Sequence, residues 1–128
     1  MLRFDPDHGS GIDMAPNGTV DVTFLAHTAN SVNCVMNIES WRATIQWGQV
    51  DPCEYNVYYA TSKDGQSFSA PTILNAKPID GESLAQFDGR STLGTHLAVA
   101  ASDEFAYPVW VETPSQGKTQ VHVVQIER

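Results

Sequence analysis

Trp41 and Trp47 lie six residues apart in ANSVNCVMNIESWRATIQWGQVDPC (29–53), with Asn37, Arg42 and Gln46 beside them in the chain. An indole face packs against the apolar face of a pyranose while amide and guanidinium groups bind its hydroxyls, so this cluster is a candidate sugar platform. Packing in a core or an interface would use the same residues. A second stretch, NAKPIDGESLAQFDGRS (75–91), adds Phe87 and Arg90 as candidate ligand contacts. Acids flank both stretches: Glu39, Asp51 and Glu54 the first, Asp80, Glu82 and Asp88 the second. Two carboxyl groups held roughly 5 to 9 Å apart can hydrolyse a glycoside, but residue order sets no such distance. Solvation is the ordinary fate of loop acids in so acidic a chain.

Other chemistries find less support. Asp5, Asp7, Gly9 and Asp13 alternate as in a calcium loop, yet no glutamate stands at the closing twelfth position. His8, His27, His96 and His122 lack the spacing of zinc ligands, so neither a metal nor another cofactor is expected. Cys34 and Cys53 are too few for a zinc quartet; two free thiols and a disulfide both remain open, the latter implying an oxidising compartment. No glycine-rich phosphate loop, Gly-x-Ser-x-Gly elbow or cysteine nucleophile context occurs.

The elements that must position these residues are strands. Few windows keep apolar residues at helical spacing, and glycine or proline interrupts most of the chain. NGTVDVTFLAHT opens on the turn pair Asn17-Gly18 and alternates Val20, Val22 and Phe24 against Asp21, Thr23 and Leu25, which predicts a hairpin of Ile12 to Ala15 with Thr19 to Thr28. YNVYYAT (55–61) and SAPTIL (69–74) predict two further strands, hinged on Lys63-Asp64-Gly65-Gln66. The second half repeats the plan with HLAVAA (96–101), YPVWVE (107–112) and TQVHVVQIE (119–127), where three strands fit and Trp110 is expected in the core. The spacing of the two halves is roughly 80 to 85 residues, and such repetition of small sheets predicts a repeat architecture, because one small sheet cannot bury both of its faces alone.

The hinge sequence Ser62-Lys63-Asp64-Gly65-Gln66-Ser67-Phe68 resembles the Asp-box of sialidase-like β-propellers, the BNR repeat, usually Ser-x-Asp-x-Gly-x-Thr-Trp. This copy is one residue shorter after Asp64 and has Phe for Trp. In such a turn the Asp accepts backbone N–H groups, the glycine takes positive φ, and the aromatic packs beneath. The stretches YNVYYATSKDGQSFSAPTIL and LAVAASDEFAYPVWVETPSQGKTQVHVVQI also resemble propeller blades. The resemblance implies an all-β chain of two antiparallel four-stranded blades: 1–74 as the first with a long 29–54 insertion, 75–128 as the second with its fourth strand supplied by another segment or chain. Two blades do not close a ring, so it further implies a six-bladed propeller assembled from copies, a homo-oligomer and possibly a trimer, with MLRF placed to lie along a neighbour's edge. A β-sandwich is the rival fold.

By the same resemblance Ser62, Asp64, Gly65, Ser67 and Phe68 are structural, and the working face carries residues 29–53, 75–91 and 113–118. Sialidases use three arginines, a Tyr/Glu pair and an Asp acid. Here Arg3, Arg42, Arg90 and Arg128 are the complete set and the Arg-Ile-Pro signature is missing, so a full catalytic set is not expected. The expected function is a non-catalytic module binding carbohydrate or protein, with a glycosidase-like enzyme whose site forms between chains as the alternative. Seven basic residues against fifteen acidic ones give a net charge of −8, which repels nucleic acid and anionic membranes. No run approaches the ~20 apolar residues of a membrane span, and MLRFDPDHGSG lacks a signal-peptide layout, so no localisation is assigned.

Overall fold

The computed structural model describes residues 10–28, 54–80, 86–87, 90–91, 97–115 and 118–128. Among them there is no helix and every strand pair is antiparallel. The first sheet begins with β1 (Ser10–Met14), β2 (Val20–His27) and β3 (Glu54–Ser62), each hydrogen-bonded to the next. The Asn17-Gly18 turn joins β1 to β2: Ala15 N–H donates to the Thr19 carbonyl at 2.8 Å, and Thr19 N–H to Asn17 Oδ1 at 2.9 Å. On the far edge of β3 lie two short segments in succession, β4 (Thr72–Ile73) and β5 (Ile79–Asp80).

The strand expected over 69–74 pairs only at 72–73, and beyond it a side chain bridges the gap to the second segment at 79–80. Leu74 N–H donates to the Val57 carbonyl at 2.9 Å, and Val57 N–H in turn donates to the side-chain oxygen of Asn75 at 2.8 Å. The Asn75 amide then donates to Asn56 Oδ1 and to the Lys77 carbonyl, at 3.0 and 2.7 Å. One buried carboxamide stands in for strand backbone, so no polar group of β3 is left unpaired there. The first sheet consequently runs on to Asp80, past Leu74.

Residues 75–91, read from sequence as a loop, also contain a two-stranded hairpin of β6 (Gln86–Phe87) and β7 (Arg90–Ser91). The other sheet consists of β8 (Ala98–Ala101), β9 (Phe105–Ser115), β10 (Lys118–Val123) and β11 (Ile126–Glu127). β8 pairs with one edge of β9, while β10 and β11 follow each other along the opposite edge. Three strand lines form this sheet among the described residues, as the repeat predicts. Each sheet thus has an outer line broken in two.

The sheets stack face to face. Strand alternation sends Leu25, Tyr55, Val57, Tyr59 and Ile79 of the first sheet inward, where they pack with Val99, Ala106 and Trp110 of the second. Leu74, Leu97 and Ile126 pack at the margin. Where β1 lies along β8, the backbones meet so closely that a Cβ on Gly11 would come within 2.8 Å of Ala98 Cα. Only glycine permits that approach, which sets the sheet separation at this corner. The opposite face of each sheet is apolar too: Ile12, Met14 and Ile73 on the first and Val121 and Val123 on the second are more than half exposed.

Candidate functional site

Antiparallel order gives the stack two ends. At one end, β2 finishes and β3 starts, β5 finishes, β8 starts, and β9 turns toward β10; we call it the loop end. The β1–β2, β3–β4 and β8–β9 turns lie at the other, the turn end, together with Arg128.

Of the candidate ligand contacts, Asn37, Trp41, Arg42 and Trp47 lie outside the described residues, as do Glu39, Asp51, Cys34 and Cys53. Phe87 and Arg90 are brought together as directly opposed positions of the β6–β7 hairpin. The sequence signal for that hairpin is the Asp-Gly pair at 88–89 between them, a pair favoured in two-residue hairpin connections. Glu54 and Asp80, placed in different stretches by sequence, are also brought face to face as opposed residues of β3 and β5 at the loop end. Thr28 donates its hydroxyl to Glu54 Oε1 at 2.6 Å.

A second polar centre faces the loop end inside the stack. Trp110 is buried, and its indole N–H donates to Glu112 Oε1 at 2.7 Å. The His122 ring stacks on the indole at 5.6 Å and 19°, with Nε2 3.6 Å from Glu112 Oε2. Strand alternation places Trp110 and Glu112 on one face, and the β9–β10 register sets His122 opposite Trp110.

The turn end is held by a clamp that sequence reading missed. Asp21 on β2 is fully buried and accepts hydrogen bonds from the two terminal guanidinium nitrogens of Arg128, Nη1 and Nη2, and from the Tyr59 hydroxyl at 2.6 Å. The Arg128 Nε–H donates to the Ser102 carbonyl at 2.9 Å, tying the clamp to the other sheet. Burial alone would raise the Asp21 carboxyl; the hydrogen bonds from Arg128, Tyr59 and Thr61 outweigh it and hold it below its ordinary value. Burial and the Asp21 bond push the Tyr59 phenol up to about 12, and Asp21 raises Arg128. Two more bonds cross between sheets nearby: Ala101 N–H to Asp13 Oδ2 and Asn17 N–H to Asp103 Oδ1, both at 2.8 Å. Of the alternating acids near the start of the chain, Asp13 makes this cross-sheet bond, while Asp5, Asp7 and Gly9 lie outside the described residues. No cluster of three metal-ligating side chains occurs among the described residues.

The Asp64 turn is also built from hydrogen bonds. Asp64 Oδ1 accepts the N–H groups of Gln66 and Ser67 and the Ser62 hydroxyl, at 2.8, 2.8 and 2.9 Å. Ser62 Oγ accepts Gly65 N–H at 2.9 Å, and Gly65 sits at φ 71°. The bonds from Ser67, Gln66 and Ser62 depress the Asp64 carboxyl to about 2. Phe68 departs from the expected staple: it is 46% exposed rather than packed beneath the turn. The residue missing after Asp64 supplies a physical reason, since a shorter turn changes where the following side chain falls.

In comparisons with known proteins, no family model, no curated protein and no solved structure matches the chain.

Proposed function

We propose that this chain is a non-catalytic module of sialidase-like propeller type that assembles with copies of itself and binds a carbohydrate or a protein at the loop end. The observation that carries the reading is the stack itself: two meandering sheets pack face to face through β1 and β8 and keep an apolar face on each outer side. An isolated sandwich is expected to cover its outer faces with polar residues. A blade pair meant for a larger ring is not. The turn end supports the division of labour, because Asp21 is sealed inside a clamp and Asp64 Oδ1 is committed to the turn. Trp41, Trp47, Asn37 and Arg42, together with Phe87 and Arg90, are the residues proposed to meet the ligand.

The test is a glycan array with the full chain, paired with its mass in solution. Binding without turnover, lost in Trp41→Ala or Trp47→Ala and kept in Asp64→Ala, is the expected result. One observation favours a second reading, a glycosidase-like enzyme with a site formed between chains: Glu54 and Asp80 share directly opposed positions at the loop end. Hydrolysis of a chromogenic glycoside that disappears in Glu54→Gln would establish it and overturn the non-catalytic one.

A further inference from the structure

Each outer face of the stack has a shape, and the two shapes are complementary. On the first sheet the outward side chains of β1 are the large Ile12 and Met14, both more than 60% exposed. Behind them Phe24 and Tyr58 stack at 5.5 Å across β2 and β3. On the second sheet the outward side chains of β8 are the small Ala98 and Ala100, both exposed, and beyond β9 the ridge rises again at Val121 and Val123. Inside the chain the sizes on these two strands are reversed: Gly11 of β1 meets β8, whose inward residue is Val99. Large against small on facing positions is the arrangement by which layers interdigitate without voids.

We infer that the outer face of the first sheet docks on the outer face of the second sheet of another copy of this chain, head to tail, so that copies close into a ring. This rests on the proposed assembly reading and names its contact. The outward positions of β1, β2, β8 and β9 carry no charged residue, and the outward carboxylates of the other strands, Glu54 and Asp80 on the first sheet and Glu127 on the second, lie at the ends of the faces, so the middle of each surface can be covered without burying a carboxylate. Symmetry points the same way. A two-fold dimer through either face leaves the other face of both copies bare, whereas the head-to-tail contact repeated around a closed ring covers every face with one kind of interface. With strands about 4.8 Å apart and five residues at about 3.3 Å each, the four strand lines of the first sheet make a face of roughly 320 Å² in plan and the three lines of the second one of roughly 240 Å². A copy flanked on both sides covers one such face in each of two contacts, each contact being smaller than the ~800 Å² per partner of a single standard interface, so the ring relies on every copy being held twice.

The experiment uses light scattering and native mass spectrometry on the full chain, on Ile12→Glu and on Val121→Glu, with circular dichroism to confirm that each variant keeps its strand signal. The wild type is expected as a closed oligomer, three copies giving six sheets. Each variant alone is expected as a monomer, since its one intact face has no complement. An equimolar mixture is expected to form a one-to-one heterodimer through the two faces left intact, doubling the mass. If either variant alone forms a dimer, the contact is two-fold and the head-to-tail inference fails while assembly stands. An oligomeric wild type that neither variant disturbs has the same consequence, placing the interface elsewhere. A monomeric wild type overturns both the inference and the assembly reading. Should a glutamate variant lose its strand signal, Ile12→Gln and Val121→Gln give the same comparison with a smaller perturbation.

Discussion

Replacing Arg128 by Met tests whether the clamp at the turn end behaves as a buried ion pair. The Asp21 carboxylate is fully buried, and the Arg128 side chain is 15% exposed. Removing the cation leaves a buried charge with Tyr59 and Thr61 as its remaining partners, a change expected to cost about 3–5 kcal/mol; an exposed pair would cost about 0–1 kcal/mol. The pH dependence sharpens the distinction. In the wild type the folded Asp21 carboxyl lies below its ordinary 3.8, so the clamp's contribution is present above that value and is lost as pH falls through the lower folded one. In Arg128→Met the effect of burial, which raises the carboxyl, loses its strongest opponent, and the folded value moves above 3.8. Asp21 then prefers to fold protonated, so the deficit measured at pH 7 exceeds that at pH 3. Urea unfolding of both proteins at the two pH values, followed by circular dichroism, reads this directly. Adding Asp21→Asn to Arg128→Met should recover part of the loss at pH 7, because no unpaired charge remains. A deficit under about 1 kcal/mol that is equal at both pH values would refute the buried-pair reasoning.

Three further outcomes follow from the same geometry. Gly11→Ala drives a methyl to 2.8 Å from Ala98 Cα and 2.9 Å from its carbonyl carbon, so the sheets must part at that corner; urea unfolding should show a loss of about 1–3 kcal/mol, and no loss would mean the backbones are not in contact. The Tyr59 phenol ionises near 12 when folded against 10 when free, so stability is full below pH 10 and falls as pH rises toward 12 at about 1.4 kcal/mol per pH unit; Tyr59→Phe should flatten that part of the alkaline unfolding curve. Asp64→Ala should lower the melting temperature and speed amide exchange at Gln66 and Ser67. Because the folded carboxyl lies near 2, the wild-type advantage is present above pH 3.8 and should vanish as pH falls toward 2, a trend absent if the turn holds without the carboxylate.

The local features of this protein follow from residues close together in the chain. Alternation of Val20, Val22 and Phe24 with Asp21, Thr23 and Leu25 is enough to make β2 a strand, because pleating sends successive side chains to opposite faces. Asn17-Gly18 makes the first hairpin, and Asp64 with Gly65 makes the hinge, through bonds spanning no more than four residues. The three strand lines of the second sheet were legible for the same reason. Pattern does not reveal which face meets which. Alternation groups Asp21 with Thr23 and Leu25 on one face of β2; that this face is the inward one, where a cation 107 residues away reaches Asp21, is decided only by the stacked sheets. The break between β4 and β5 depends on the Asn75 side chain finding Val57, and Gly11 matters only because β8 passes against it. Of the candidate site, the opposition of Phe87 with Arg90 was latent in Asp88-Gly89. That of Glu54 with Asp80 required the register of two strands separated by the Asp64 turn. Turns and alternation are set by neighbours in the chain, whereas the clamp, the close approach and the paired acids are set by contacts that exist only after the sheets have stacked.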